Sequence, residues 1–255
     1  MRAFWRLLRV FWTTFLHTLY LSVAVRRRPA AERNAYRAWR QHVGCRALCR
    51  ILGVRVTVDG VLPEAGGTPL LVCNHFGVLD PLVLSAWLPL AAVSKAEVRD
   101  WPFIGWVCRT MGVIFVERER RSQTGTFVET VQEHMRQGVP VLVFPEGTTT
   151  AARQVQPFKT GAFEAVAGME GGAVLPLYLD AVSVEGRPAE GAQRARVVWA
   201  DPGVSFVRHV WGLLGLREVE MRVRIGPPIA TDGCDRKALA RHAHTRVAAL
   251  LADRA

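Results

Sequence analysis

His75 and Asp80 carry side chains that could together remove a proton from a substrate. An imidazole held by a carboxylate has a fixed tautomer and can act as a general base. Within one helix, side chains five residues apart point about 140° away from each other, so this pair can meet only across a turn. Gly77 permits such a turn, and Asp80-Pro81 predicts a helix start with Asp80 as its N-cap. Taken alone, the pair favours a simpler interpretation, in which Asp80 only caps a helix and His75 is a polar loop residue. A catalytic interpretation needs support from the rest of the chain.

Two further polar clusters follow apolar runs. Arg118 comes just after one such run, and arginine suits phosphate because its planar fork binds two oxygens. The ordinary alternative for a single arginine is a surface ion pair with a neighbouring glutamate. Glu146, Gly147 and Thr148 follow another run, where glycine lets backbone N–H groups approach an anion and the hydroxyl can donate to it. Both clusters are therefore candidate anion-binding sites.

The elements that must position these residues alternate between strands and helices. Short apolar or alternating runs predict strands at 54–58, 70–73, 90–94, 113–116, 139–144, 173–179, 196–200 and 221–225. Helical spacing predicts helices at 31–52, 81–88, 101–111, 124–136, 160–169, 206–216 and 237–251.

Alternation with short links, and strands that are continuously apolar, predict an α/β fold with a mainly parallel sheet and helices on both faces. Function in such sheets gathers at the carboxyl ends of the strands. The three polar clusters each follow a predicted strand, so we expect them to converge on one cleft.

Charge is concentrated at the amino-terminal end. Residues 1–52 contain eleven arginines and one acidic residue, Glu32, which accounts for most of the chain's net charge of +11. Such asymmetry indicates an anionic partner, either nucleic acid or a membrane surface. The uncharged run 10–25 is rich in leucine and aromatic residues, which favours the headgroup region of a membrane over nucleic acid.

This uncharged run of about 16 residues is shorter than the ~20 that a spanning helix needs. We therefore expect a helix lying in the membrane interface, with a short span kept as the alternative. The cluster Arg26-Arg27-Arg28 argues against a cleaved signal peptide and, if the helix spans the membrane, places the main domain on the cytoplasmic side. The predicted organisation is a membrane-associated helical segment at 1–52 followed by a catalytic domain at 53–255, at the cytoplasmic face of the inner or plasma membrane.

Cysteine usage gives no sign of a metal site. The five cysteines form no Cys-x-x-Cys pair, and no His/Cys spacing is typical of zinc. We expect small buried thiols in a reducing compartment, with no bound metal.

The order of the polar clusters resembles the four-block signature of the glycerophospholipid acyltransferase family, whose typical member is bacterial 1-acyl-glycerol-3-phosphate acyltransferase. The resemblance covers roughly residues 50–230. Its blocks are Asn74-His75-x4-Asp80, Gly112-x2-Phe115-Val116-x-Arg118, Phe144-Pro145-Glu146-Gly147-Thr148 and Val174-Leu175-Pro176-Leu177. Each block is weak alone, whereas the ordered set is specific.

The resemblance implies a mechanism. His75 would deprotonate the acceptor's hydroxyl, Asp80 would orient and support the imidazolium, and the oxygen would attack an acyl thioester of coenzyme A or acyl carrier protein. No other cofactor and no enzyme-bound acyl intermediate are implied. The implied headgroup site consists of Arg118, Glu146, Gly147 and Thr148, lined by Lys95 and Lys159, with Pro176 shaping the cleft. The chain has only three lysines beside thirty arginines, which also singles out Lys95 and Lys159.

Thr149 departs from the family pattern, in which many members have arginine at that position. We expect the acceptor to be a lysophospholipid, namely 1-acyl-sn-glycerol-3-phosphate, with phosphatidic acid as the product. The missing charge weakens the case for a phosphate acceptor and keeps another lysolipid, such as lyso-ornithine lipid, open. An alternative of another class is a non-enzymatic basic protein that binds membranes.

Overall fold

The computed structural model describes residues 1–63, 67–117, 124–201 and 203–252. Within these ranges nine strands form one sheet in the order β1-β8-β6-β2-β5-β3-β4, with β7 and β9 paired to β6. The strands are β1 (Val54–Asp59), β2 (Leu70–Cys73), β3 (Ala91–Lys95), β4 (Ile114–Val116), β5 (Val141–Val143), β6 (Ala173–Val184), β7 (Arg187–Pro188), β8 (Val219–Ile225) and β9 (Ile229–Ala230).

The sheet is mainly parallel, which confirms the predicted fold class. The pairs β1·β8, β6·β2, β2·β5, β5·β3 and β3·β4 are parallel, whereas β8, β7 and β9 each pair with β6 in the antiparallel sense. The central strand β2 is fully buried, and its residues alternate between two hydrophobic clusters. Because successive strand side chains point to opposite faces, the two clusters lie on the two faces of the sheet.

Helices cover both of these faces. The α-helices of the described residues are α1 (Arg2–Ala24), α2 (Arg33–Leu52), α3 (Leu79–Trp87), α4 (Ile104–Met111), α5 (Thr124–Arg136), α6 (Gly191–Ala195), α7 (Phe206–Gly215) and α8 (Arg236–Ala252). Side chains of α3 and α7 pack in one cluster, and side chains of α5 and α8 pack in the other. Amphipathic helices thereby bury the apolar stripes that the sequence predicts.

Two predicted elements are wrong. Residues 196–200 do not form a strand: they follow α6 and lie over the loop after β2, where the backbone N–H of Trp199 donates to the carbonyl of Phe76 at 2.8 Å. Residues 160–169 form only a 3-10 turn, Thr160–Phe163, followed by irregular turns. Glycine disfavours a helix at two points of this segment, and Gly168 has a left-handed φ of +69° that ends the helical path.

The amino-terminal helix is longer than its uncharged run. α1 and the 3-10 turn Val25–Arg27 together are long and apolar enough to cross a membrane by length and composition, and only 17% of their most apolar stretch is buried. The side chain of Arg6 donates to the carbonyls of Leu216 and Arg217, which ties α1 to the end of α7. The division at residue 52, and the choice between spanning the membrane and lying in its interface, stay predictions.

Candidate active site

The loop after β2 is fixed by a side chain that continues the sheet. Asn74 follows the last residue of β2; its amide donates to the carbonyl of Leu179 at 2.9 Å and accepts from the same residue's N–H at 2.8 Å. These two bonds replace the backbone pairing that β2 would have made with β6 one residue further on. His75 therefore leaves the sheet edge from a rigid base.

His75 and Asp80 meet across the turn as the spacing requires. The Nδ1 atom of His75 lies 2.7 Å from Oδ2 of Asp80, and the carboxylate oxygen is the acceptor of this hydrogen bond. Nδ1 therefore carries the proton and Nε2 presents a lone pair. Within the described residues Nε2 makes no hydrogen bond, and the side chain is 22% exposed, so this nitrogen is free to meet a substrate hydroxyl.

Asp80 holds the turn together as well as the imidazole. Its Oδ2 also accepts the backbone N–H groups of Phe76 at 2.6 Å and Gly77 at 2.9 Å, and the side chain is completely buried. The predicted N-cap role is wrong, because α3 begins at Leu79, one residue before Asp80. The carboxylate therefore accepts hydrogen bonds from the loop before the helix and not from the helix itself. Its Oδ2 atom accepts all three of these hydrogen bonds.

A second segment, after β5, holds His75 from the other side. The imidazole stacks on the ring of Phe144, with centroids 4.1 Å apart and planes 18° apart. The backbone N–H of His75 donates to Oε1 of Glu146 at 2.9 Å, and its carbonyl accepts from the N–H of Thr150 at 3.0 Å. Two of the predicted clusters thus converge.

Glu146 is buried and turned toward backbone. Its second oxygen, Oε2, accepts the N–H of Gln156 at 3.1 Å. Burial raises the pKa of Glu146, and the N–H groups of Gln156 and His75 offset part of that rise by stabilising the charged form. Because both oxygens are occupied by backbone donors, this carboxylate joins the His75 loop to the segment after β5.

Lys159 crosses the turn at Gly147. Gly147 has φ +79°, and a Cβ built on it would lie 2.8 Å from both Cε and Nζ of Lys159. The backbone N–H of Lys159 donates to the carbonyl of Pro145 at 2.8 Å, which fixes the start of the side chain. Thr148, the next residue, is exposed. An ammonium group and a hydroxyl therefore flank the turn beside His75.

Gly147→Ala tests whether this close approach matters for substrate binding. Left-handed φ costs an alanine about 1 kcal/mol. Gly138→Ala is a matched control, since Gly138 has φ +72° and open space where a Cβ would lie. We expect equal losses of thermal stability, because the flexible end of Lys159 can move aside. Only Gly147→Ala should raise the KM for the acceptor in steady-state assays; equal KM values would contradict a binding role for Lys159.

The other two predicted basic residues are placed differently. Lys95 ends β3, is exposed, and makes none of the hydrogen bonds of His75, Asp80 or Glu146 within the described residues. β3 runs parallel to β5, and β5 runs parallel to β2, so Lys95 lies at the same edge of the sheet as the residues that follow β2. Arg118 lies outside the described residues, and its role stays a prediction.

Several residues that support the His75 loop were not predicted from the sequence. Phe76 packs under the guanidinium of Arg194 at 5.2 Å, and Arg194 is buried with Nη1 2.6 Å from Oδ1 of Asp180. A Cβ on Gly77 would lie 2.6 Å from the carbonyl oxygen of Val197, so the segment after α6 closes over the loop. These contacts join single residues that lie far apart in the chain. No hydrophobic periodicity relates such residues, so the sequence does not predict the contacts.

No group of three or more His, Cys, Asp and Glu side chains is arranged to hold a metal ion in the part of the chain that the structure describes. The expectation that no metal or other cofactor is bound stays a prediction. The described site consists of a hydrogen-bonded imidazole with one open nitrogen, two buried carboxylates that hold its loop, and a lysine against the adjoining turn at Gly147. Such an arrangement can activate a hydroxyl as a nucleophile.

Comparisons with known proteins agree with this chemistry. The profile of the family described as Acyltransferase matches residues 54–180. The chain is 37% identical to a lyso-ornithine lipid O-acyltransferase of Brucella abortus over 81% of this chain and 79% of that protein. It is 27% identical to a 1-acyl-sn-glycerol-3-phosphate acyltransferase of Neisseria meningitidis over 82% and 79%. The crystal structure of the 1-acyl-sn-glycerophosphate acyltransferase PlsC of Thermotoga maritima has the same fold, with a TM-score of 0.65, 20% identity, and coverage of 99% of this chain and 97% of that chain.

Proposed function

The chain belongs to the acyltransferase family, and we propose that it acylates a lysolipid. In this reaction a fatty acyl chain moves from a thioester of coenzyme A or acyl carrier protein to the free hydroxyl of the lysolipid. The observation that carries the proposal is the 2.7 Å contact between Nδ1 of His75 and Asp80, which leaves Nε2 open. Family membership makes the chain an enzyme and argues against the alternative of a non-enzymatic membrane binder.

In the proposed reaction, Nε2 of His75 takes the proton of the acceptor hydroxyl while the oxygen attacks the thioester carbonyl. The tetrahedral intermediate then collapses, the carbon–sulfur bond breaks, and the imidazolium returns the proton to the leaving thiolate. An ester and a free thiol are the products. Asp80 keeps its hydrogen bond to Nδ1 and stabilises the imidazolium, which is the role its burial and three donors suit.

For the acceptor, we propose lyso-ornithine lipid ahead of 1-acyl-sn-glycerol-3-phosphate. Thr149 offers no charge where many family members carry arginine, and relatives at 37% and 35% identity are named lyso-ornithine lipid O-acyltransferases. An ornithine headgroup carries one carboxylate and one ammonium group and has a net charge near zero, whereas a phosphate monoester carries nearly two negative charges. A site with one arginine fewer fits the smaller charge.

Thr149→Arg should change the acceptor preference. A charge-assisted hydrogen bond to phosphate is worth roughly 1.5–3 kcal/mol, so we expect kcat/KM for lysophosphatidate to rise about 10- to 100-fold. The value for lyso-ornithine lipid should not rise. Thiol release with each acceptor and each thioester donor measures both effects.

The matched control is Ala151→Arg, which adds the same charge at an exposed position two residues away. An equal rise in both variants would mean that a general positive field, rather than a contact at position 149, attracts the phosphate. A wild-type preference for lysophosphatidate over lyso-ornithine lipid would overturn the proposed order of acceptors.

We also propose that residues 1–52 hold the enzyme on the anionic cytoplasmic leaflet, where its acceptor resides. The outward side of α1 exposes large apolar and aromatic side chains, including Trp5, Trp12, Leu16 and Val23. Each nearby arginine adds about 1 kcal/mol of attraction to an anionic leaflet. Membrane association is supported by this surface and by the lipid-modifying relatives.

A further inference from the structure

A groove of about 660 Å³ lies where α1 turns into α2, apart from the His75 cleft. One wall is apolar and is formed by Leu16, Leu19 and Val23, which are 57%, 46% and 50% exposed. None of the lining residues belongs to the candidate active site. The groove therefore offers exposed hydrocarbon surface that acyl transfer does not use.

The end of the groove is cationic. Arg27 and Arg28 line it, both are exposed, and neither forms an ion pair within the described residues. Glu32, the one acidic residue of the segment 1–52, is exposed and forms no ion pair in the same part of the structure. Two positive charges therefore face solvent without a protein counter-charge beside an apolar wall.

Two tyrosines, Tyr20 and Tyr36, also line the groove. The hydroxyls of Tyr20 and Tyr36 are 3.4 Å apart, and whichever donates to the other, one proton remains for an incoming oxygen. The guanidinium of Arg28 lies 4.6 Å from the centroid of the Tyr36 ring, and that of Arg40 lies 4.7 Å from the Tyr20 ring. These cation–π contacts restrict the orientation of the two aromatic rings that line the groove.

We propose that this groove binds one anionic phospholipid at a discrete site, distinct from the site of the lysolipid acceptor. The acyl chain lies along Leu19 and Val23, and the phosphate contacts Arg27, Arg28 and a tyrosine hydroxyl. Charge complementarity selects the headgroup, and the exposed apolar face of α1 continues the wall along which the chain runs. A bound lipid would hold the connection between α1 and α2 in the headgroup region.

Native mass spectrometry of the full-length protein in detergent tests the proposal, with phosphatidylglycerol and phosphatidylcholine of identical acyl chains as probes. We expect the first phosphatidylglycerol to bind about tenfold more tightly than later ones, and phosphatidylcholine to show no such first site. The double variant Arg27→Gln/Arg28→Gln should weaken that first binding at least tenfold, because each arginine contributes about a fivefold factor.

The matched control is Arg46→Gln/Arg50→Gln, which removes the same charge from exposed positions of α2 that do not line the groove. Equal losses in the two double variants would show a diffuse charge effect and overturn the discrete site. Free glycerol phosphate should fail to compete at the same concentration; full competition would make this a phosphate site and not a lipid site. Acyl transfer to a short-chain, monomeric acceptor should be unchanged in Arg27→Gln/Arg28→Gln, so the proposed function and this site can fail separately.

Discussion

His75→Ala is expected to lower kcat for acyl transfer at least a thousandfold, near the upper end of the 10²–10⁴ that a positioned general base contributes, by rough estimate. No other imidazole among the described residues hydrogen-bonds a carboxylate, so no substitute base is in place. Release of free thiol from an acyl thioester, followed with a chromogenic disulfide, measures the rate directly.

Folding should survive this substitution. The side chain is partly exposed, and Asp80 keeps two backbone donors when the imidazole is removed. Thermal melting followed by circular dichroism should therefore show a melting temperature close to that of the wild type. His242→Ala, at an exposed position of α8, is the matched control and should keep full activity. A folded His75→Ala protein with substantial turnover would exclude His75 as the base.

The convergence of the His75 loop with the segment after β5 could be predicted because it depends on simple rules. Four apolar residues in a row predict a strand buried on both faces, and parallel strands end at the same edge of a sheet. β2 and β5 are direct neighbours in register, so the residues that follow them, His75 and Glu146, had to lie close together. Local pattern and topology gave the same answer at this edge.

What each carboxylate does there could not be predicted, because backbone donors leave no pattern in a sequence. Asp80 before proline is typical of an N-cap, yet its oxygen accepts from the loop behind it. Glu146 stands among hydroxyl residues and suggests a headgroup ligand, yet both of its oxygens accept backbone N–H groups. In both cases the unsatisfied donors of a tight loop decide where the carboxylate points.

The segment 196–200 was mispredicted for a related reason. Its valines and tryptophan have high strand propensity, but propensity in strands reflects packing more than backbone preference. Val197 is fully buried against the loop of His75, and its carbonyl approaches Gly77 so closely that a side chain there would not fit. The apolar side chains of this segment are therefore buried because the segment packs over the His75 loop, and not because it joins the sheet.

Replacements of Asp80 should separate its two roles, folding the loop and supporting the imidazolium. In Asp80→Ala, the N–H groups of Phe76 and Gly77 lose their acceptor in a buried place, and each loss costs about 1–3 kcal/mol. We expect a loss of roughly 3 kcal/mol in the free energy of unfolding, together with loss of activity. Denaturant titration followed by circular dichroism measures the first, and thiol release measures the second.

Asp80→Asn should leave the His75 loop folded while it removes the negative charge. An amide oxygen at the place of Oδ2 can accept the same three donors, and the amide nitrogen then takes the place of Oδ1, which has no hydrogen-bond partner within the described residues. The N–H groups of that amide find no acceptor in this buried place, so stability should fall by about 1–2 kcal/mol, less than in Asp80→Ala, whereas kcat should fall roughly 10²–10³-fold, as when a preorganised electrostatic partner is removed. If Asp80→Asn were stable and fully active, the negative charge would have no part in catalysis and Asp80 would be a residue of the loop alone. If the two variants lost stability equally, the amide would not have replaced the carboxylate as an acceptor, and the activity of Asp80→Asn would then report the loop and not the charge.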